Sequence, residues 1–287
     1  MGTASFTVLT WNLRWMTRGA ARVAAKRDLL SAIDWDVALL QEVGPRAFAS
    51  LNEAFPGGAF AHDLHNSGDR YPHSVAILSR GDVALTDVRL VPVGESQLGW
   101  SVQPERALAA TATIGGLAVT VASWHAPHAA SRTRHEALAR RARKMRAYSA
   151  ISAWAAGRRG PLVLGGDMNT WQDVGSPTVV DPAHPFFEEH RFHASEPTHG
   201  LTDAYRRIVA ARGAPGPPAG DRLAIAHAQD SPAVTYDRGH GGRSIPCRMD
   251  RVFVSDEIAV RGVEHRPLAE ARAVGSDHGI VRVWCAV

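Results

Sequence analysis

Eight polar residues stand where apolar runs end or begin: Asn12, Glu42, His125, Asp167, Asn169, Asp250, Asp277 and His278. Asp167 and Asn169 follow the run Leu162-Val163-Leu164 and two glycines. Residues i and i+2 of an extended chain share a face, so a hard anionic oxygen and an amide stand side by side at the mouth of a strand. A site for a divalent cation plus a phosphate needs that mixture. Carboxylates held near one another in a buried place are costly unless a cation neutralises them. Glu42 and Asp277 with the neutral Asn12 would make an oxygen site suited to Mg²⁺ or Mn²⁺ rather than to zinc. His278 could take a proton from water if a carboxylate held its ring in the right tautomer, and Asp250 is the candidate. Any one of these positions alone reads as a solvated turn. Eight of them, spread over the whole chain, do not.

The elements that must position them follow from periodicity. Ser5 to Leu13 alternates and reads as a strand delivering Asn12 and, two residues on, Arg14. Ala20 to Ile33 reads as a helix with Val23, Leu30 and Ile33 on one side, and Asp36 to Glu42 as a buried strand ending in an acid. Strand, helix and strand over so short a span form a βαβ unit with parallel strands, which puts Asn12 and Glu42 at one carboxyl edge, where open α/β sheets place ligands. Strands are expected around Ser74 to Ser79 and Ala84 to Val91. Ala107 to Ile114 and Leu117 to Ser123 flank Gly115-Gly116, a hairpin signal, and the second run leads to His125. A helix is predicted over Arg134 to Ala156, then the strand carrying Asp167. Leu201 onward reads as a short helix with Thr202 as a possible cap. Cys247 to Val254 reads as one strand with Arg248 and Asp250 on one face, and the last strand, Gly279 to Cys285, follows Ser276-Asp277-His278. The stretch Gly175 to Arg243 is rich in Pro, Gly and His and is the least regular.

Composition bounds the rest. A chain of 287 residues with 45% apolar and 21% charged content is ordinary for a globular α/β domain, and no linker divides it, so residues 1–287 read as a single domain. No apolar run reaches the length of a membrane span and no secretory signal is seen. Cys247 and Cys285 fit no zinc motif and read as reduced core residues of a cytoplasmic protein, with an exported protein as the alternative. The net charge is +4, but Arg132, Arg134, Arg140, Arg141, Arg143, Lys144, Arg146, Arg158 and Arg159 cluster against one acid, Glu136. That cluster is either a solvated helix face or a phosphate-tracking surface.

The set Trp11-Asn12-Leu13-Arg14, Gln41-Glu42, Ser123-Trp124-His125-Ala126-Pro127, Gly166-Asp167-Met168-Asn169, Arg248-Met249-Asp250-Arg251-Val252-Phe253-Val254-Ser255 and Ser276-Asp277-His278 resembles the endonuclease/exonuclease/phosphatase superfamily, in its order and over nearly the whole chain. The resemblance implies a four-layer α/β sandwich, two packed mixed β-sheets with helices on both outer faces. It implies Asn12, Glu42 and Asp277 as the metal site for Mg²⁺, with Mn²⁺ as a substitute. His278 held by Asp250 would be the general base, Asp167 would align the attacking water, and Asn169, His125 and Arg14 would bind phosphate. Abasic-site endonucleases of the superfamily usually carry an acid where this chain has Arg14, and tyrosine where it has His125. Those two positions are closer to the deoxyribonuclease I and sphingomyelinase branches.

The expectation is therefore a Mg²⁺-dependent phosphodiesterase acting as a nuclease on DNA or RNA by in-line attack of water. The alternatives are a hydrolase of a small or lipid phosphate ester, and a non-catalytic phosphate-binding module. The loops that should read the substrate, 61–73, 92–105, 173–200 and 213–246, match nothing recognisable.

Overall fold

The computed structural model describes residues 3–16, 19–61, 74–93, 106–129, 133–170, 182–194, 198–211, 235–240 and 243–287. Arg132 and most of the four substrate-reading loops, including the Gly213 to Pro218 stretch, lie outside the described residues.

Strand β1, Ser5–Met16, buries Phe6 and Val8 on one face and Leu9, Trp11 and Leu13 on the other, so it needs cover on both sides. Helix α1, Ala20–Ala32, supplies one cover and returns the chain to β2, Val37–Val43, which runs parallel to β1 with Asn12 opposite Gln41. Helix α2, Pro45–Ala54, begins with proline, whose fixed φ suits a first helical turn. The short β3, Ala59–Ala61, and β4, Val75–Ser79, then complete this side antiparallel.

The second half repeats the plan. Strand β5, Ala84–Leu90, leads into the hairpin of β6, Ala107–Ile114, and β7, Leu117–His125. Helix α3, Arg134–Ala156, crosses over to β8, Leu162–Asp167, parallel to β7 with His125 opposite Asp167. Thr133 caps α3, its side chain accepting from Glu136 N. Then come α4, Phe187–Phe192, β9, Leu201–Asp203, and α5, Ala204–Ala211. A separate hairpin, β10, Tyr236–His240, with β11, Arg243–Cys247, precedes β12, Asp250–Ser255. The chain closes with β13, Ala259–His265, α6, Leu268–Ala273, and β14, Val281–Ala286.

Two six-stranded sheets result, in the orders β13-β14-β1-β2-β4-β3 and β5-β6-β7-β8-β12-β9. Each is mixed, with one parallel pair among antiparallel neighbours. One core lies between the sheets, where Phe6, Val8, Val37, Leu39 and Ile77 meet Leu108, Val121, Val163 and Val252. A second joins the outer face of one sheet to α1 and α2 through Leu9, Trp11, Leu30 and Leu51. A third joins the other outer face to α3 through Trp124, Leu164, Tyr148 and Ile151. Three apolar layers separate four structural ones, the expected sandwich. Both cysteines are buried and neither is in a disulfide, and no described helix is long and apolar enough to cross a membrane.

Two local readings are corrected. Cys247 to Val254 is not one strand: Thr235 Oγ1 accepts the N–H of both Met249 and Asp250, taking donors that a ladder would use, so Cys247 ends β11 and Asp250 begins β12. Arg248 consequently turns to Asp203 Oδ2 at 2.8 Å while Asp250 turns to His278. Thr202 lies within β9, and the cap of α5 is Asp203, whose Oδ1 accepts from Tyr205 N at 3.0 Å. The sequence reading also passes over β13, a half-exposed edge strand with no continuous apolar run.

Burial pushes four described histidines down: His199 to about 4, His265 to about 3, His190 below its ordinary value, and His193 well below it, where nearby arginines add to the effect. A histidine neutral in the fold but near pKa 6.5 when unfolded stabilises fully above pH 6.5, and that contribution is lost as pH falls toward the folded pKa, at about 1.4 kcal/mol per pH unit for each group. Together they outweigh the one described carboxyl with a raised pKa, Asp250, which works in the opposite sense. Thermal unfolding should therefore show Tm dropping steadily from pH 6.5 to pH 4. A Tm that stays level over that window would contradict this account of the buried histidines.

Candidate active site

The site lies where β1, β2, β7 and β8 all reach their carboxyl ends. Alternation decides which residues face it. Phe6 and Val8 point between the sheets, and so, in step, do Thr10 and Asn12. Leu39 is followed in the same sense by Gln41, Val121 by Ser123 and His125, Val163 by Gly165 and Asp167, and Val252 is preceded by Asp250. The inter-sheet core thus changes from apolar to polar at one edge. There Asn12 Nδ2 donates to Glu42 Oε1 at 3.2 Å in its own sheet and to Asp167 Oδ2 at 3.0 Å in the other. Beneath it, Gln41 Nε2 donates to Thr10 Oγ1 at 3.2 Å and across to Ser123 Oγ at 3.0 Å, and Ser123 Oγ donates back to Leu40 O at 3.0 Å. Gln41 and Ser123 were not among the predicted site residues, though a buried amide and hydroxyl at inward positions of apolar strands were the available signal.

Left-handed backbone concentrates here. Of the four described non-glycine residues with positive φ, three are Arg14 at 44°, Glu42 at 56° and Asn169 at 47°. Such conformations cost on the order of 1–3 kcal/mol each and persist only where their surroundings hold them. For Glu42 the purpose is visible. Strict alternation would send its side chain toward α1 and α2 with Leu40, whereas the observed side chain meets the Asn12 amide.

His278 arrives from the other end of the chain and is stapled to β1. Trp11 Nε1 donates to His278 O at 3.0 Å, Ser276 Oγ donates to Asn12 O at 2.7 Å, and His278 N donates to that same hydroxyl at 3.1 Å. Its Nδ1 lies 2.9 Å from Asp250 Oδ2, and its Nε2 lies 3.8 Å from Asp167 Oδ2. Burial opposes a charge on this ring, but Asp250, Asp167 and Asp277 outweigh it and raise the pKa to about 10. Burial raises Asp250 as well, and His278 pulls it back. The net direction is an imidazole that keeps its proton while the surrounding carboxylates stay uncompensated. Two residues from the irregular stretch support the pair: Thr235 fixes the Asp250 backbone, and the Tyr236 ring lies 4.9 Å from that of His278.

All nine predicted site residues are described. His125, buried, has Nε2 3.6 Å from Asp167 Oδ2 and 3.7 Å from Glu42 Oε1. Asn169 N donates to Asp167 Oδ1 at 2.8 Å, and its Nδ2 donates to Ala126 O at 2.7 Å. Arg14 reaches over the rim to Asp277 Oδ2 at 3.2 Å. Its backbone N–H donates to Asn12 Oδ1 at 2.9 Å. Oxygens of Asp167 and Asp250 and a nitrogen of His278 come within 4.8 Å of one another, a spacing compatible with a metal. The dyad hydrogen bond already engages two of them, so a cation suits the neighbouring oxygen set better. Asp277 Oδ1 is buried with no hydrogen-bond partner among the described residues, and that orphaned oxygen fits a hard-cation ligand.

The basic helix is less uniform than its sequence. Lys144 is buried against Glu189 at 2.8 Å, Arg140 pairs with Glu136, and the Arg141 guanidinium lies 4.9 Å from the Phe186 ring centre. Arg134, Arg143 and Arg146 remain exposed. His128 faces Arg140 at 3.3 Å.

A profile of the Endonuclease/Exonuclease/phosphatase family matches residues 9–278. The chain belongs to that family. No curated protein matches the sequence. Among solved structures, it is similar to TDP2 of D. rerio complexed with single strand DNA product, with 15% identity, 98% of each chain covered and a TM-score of 0.65. It is similar to the 3′ phosphatase NExo from Neisseria bound to a product DNA hairpin, with 22% identity, 97% of this chain and 98% of that one, and a TM-score of 0.63. The human Nocturnin catalytic domain with bound sulfate anion gives 17% identity, coverages of 98% and 94%, and a TM-score of 0.62. These identities carry the fold, and the family profile carries the membership.

The glycines explain how the site closes. A Cβ on Gly166 would lie 1.7 Å from Trp124 O, a backbone atom of the neighbouring strand that cannot yield. Gly166→Ala should destabilise the protein by about 3 kcal/mol or more, or prevent folding. A denaturant titration within about 1 kcal/mol of the unsubstituted protein would contradict the packing described.

Proposed function

We propose that this member of the Endonuclease/Exonuclease/phosphatase family is a divalent-metal-dependent hydrolase of phosphoric esters, most readily a phosphodiesterase acting as a nuclease on DNA or RNA. The observation that carries the reading is the His278–Asp250 pair, 2.9 Å apart and buried, with the free edge of the imidazole turned toward Asp167.

Asp250 accepts from His278 Nδ1 and so leaves Nε2 as the nitrogen that takes a proton from water. Asp167, held by Asn12 Nδ2 and Asn169 N, presents the oxygen that orients that water. His125 Nε2, drawn toward two carboxylates, is suited to carry a proton and to donate to a phosphoryl oxygen. Asn169 Nδ2 gives one N–H to the Ala126 carbonyl and has a second, only weakly engaged by Asp167 Oδ2 at 3.4 Å, to donate to the same group. Arg14, exposed at the rim, supplies a positive charge to the ester. Asn12, Glu42 and Asp277 would hold Mg²⁺, or Mn²⁺ in its place. Bound there, the cation would offset the carboxylates that keep His278 protonated and would stabilise charge building on the phosphoryl and leaving oxygens.

Nucleic acid as the substrate draws support from the TDP2 and NExo complexes, both with product DNA, and from the exposed arginines Arg14, Arg134, Arg143 and Arg146. A small-molecule or lipid phosphate ester is the second reading. It is favoured by the break-up of the basic helix, where Lys144, Arg140 and Arg141 are turned to protein partners.

Nicking of supercoiled plasmid with Mg²⁺, with Mn²⁺ and with EDTA, beside a chromogenic phosphodiester and a phosphomonoester, separates the readings. The expected result is metal-dependent nicking abolished by EDTA, and lowered about 10²–10⁴-fold in His278→Ala and in Asp167→Ala. Turnover of the small ester alone would keep the chemistry and discard the nucleic acid. No hydrolysis of any ester at any metal concentration would refute the hydrolase.

A further inference from the structure

The turn after β8 carries Asn169 in left-handed backbone, φ 47°, a conformation asparagine adopts more readily than most residues, and side chains from outside the turn are bonded to it. Helix α3 holds it at two successive carbonyls. Tyr148 Oη donates to Met168 O at 2.6 Å, and Lys144 Nζ donates to Asn169 O at 3.0 Å. The two side chains are one helical turn apart, so both reach the turn from the same face of α3. Both are buried, and neither touches the reacting edge itself.

Lys144 is aimed by a third element. Its ammonium lies 2.8 Å from Glu189 Oε2 on α4, and both partners are nearly inaccessible to water. A buried ion pair is a poor source of net stability, because desolvation of both charges offsets most of their attraction. Its retention between two helices, with the lysine reaching past its partner to a backbone carbonyl, is better explained by geometry than by stability. An apolar pair would fill the same volume but would leave Asn169 O without its donor.

We infer that Lys144 and Tyr148 are positioning residues for hydrolysis, with Glu189 orienting Lys144: the α3 clamp fixes the Met168-Asn169 turn and, through Asn169 N on Asp167 Oδ1, the orientation of the Asp167 carboxylate. The hydrolytic part of this inference rests on the function proposed above, and the backbone part does not. Nothing in the local sequence announces the clamp, since Lys144 reads as one cation in a basic run.

The test compares Lys144→Met, Lys144→Met/Glu189→Met and Tyr148→Phe with the unsubstituted full chain. It uses bis(4-nitrophenyl) phosphate with Mg²⁺, thermal unfolding, and hydrogen exchange of the Met168 and Asn169 amides. Lys144→Met alone strands a buried carboxylate and will lose stability for that reason. The double variant removes both charges and should recover the parent Tm to within a few degrees. In that recovered protein kcat should still be about 10-fold or more below the parent, with KM changed less than about 2-fold, and the two amides should exchange faster. Tyr148→Phe should shift kcat in the same sense. Recovery of kcat together with Tm in the double variant would show the pair to be structural only and would overturn the inference. Unchanged exchange at both amides would overturn it even if the parent protein hydrolysed nothing. Faster exchange in a parent fold without hydrolase activity would support the clamp and count against the proposed function alone.

Discussion

Where Gly165 faces Leu39, the two sheets approach closely, since a Cβ there would stand 2.7 Å from Leu39 Cδ1 and 3.4 Å from Thr10 Cβ. One residue on, Gly166 lies against the Trp124 carbonyl. The first contact lies between the sheets and the second within one, between β7 and β8, so together they set how closely the strands pack at the carboxyl edge, and the site depends on that packing. Asn12 can bridge to Asp167 at 3.0 Å, and Gln41 to Ser123 at 3.0 Å, only because the strands bearing them are already close. A bulkier residue at 165 would crowd Leu39 across the gap between the sheets, and one at 166 would push β8 from β7, and either would disturb the approach of the proposed cation ligands to Asp167 and His125.

The two halves of the fold bring complementary chemistry to that edge. Each sheet has a single parallel pair joined by a helix, β1 with β2 and β7 with β8, and such a pair ends both its strands on one side. The first pair delivers Asn12 and Glu42, the second His125 and Asp167. Antiparallel neighbours then add Asp250 from β12 and the Ser276-Asp277-His278 segment ahead of β14. Carboxylates so close together make the potential at His278 more negative and favour its proton, so the same negative field that suits a cation also controls the base. The left-handed turns at Arg14, Glu42 and Asn169 fit that picture, because backbone strain is kept where it aims a side chain.

Much of this was legible in the sequence, and for identifiable reasons. The parallel pairing of β1 and β2 follows from two apolar runs separated by one segment of helical periodicity, and α3 begins and ends where its sequence pattern does. The edge location of Asn12, Glu42, His125, Asp167 and His278 followed from their abrupt position at the ends of apolar runs. The resemblance to the family rested on those same residues in the same order, and the profile match over residues 9–278 agrees with it. Those signals are local or periodic, and a chain can display them before it folds.

What only the tertiary structure decided are the contacts between residues far apart in sequence whose own neighbourhoods carry no pattern. Thr235, in a stretch rich in Pro and Gly, interrupts the apparent strand at Arg248-Met249 by capturing two backbone donors. Lys144 looks like a member of a basic surface and proves to be buried, because Glu189, 45 residues on, supplies the charge that lets it enter the interior. Glu42 reaches Asn12 through a left-handed φ that no residue preference would assign to a glutamate. Hydrophobic period specifies which face a residue takes, but the partner across the gap is chosen by packing of the whole chain, and that choice exists only once both sheets have closed.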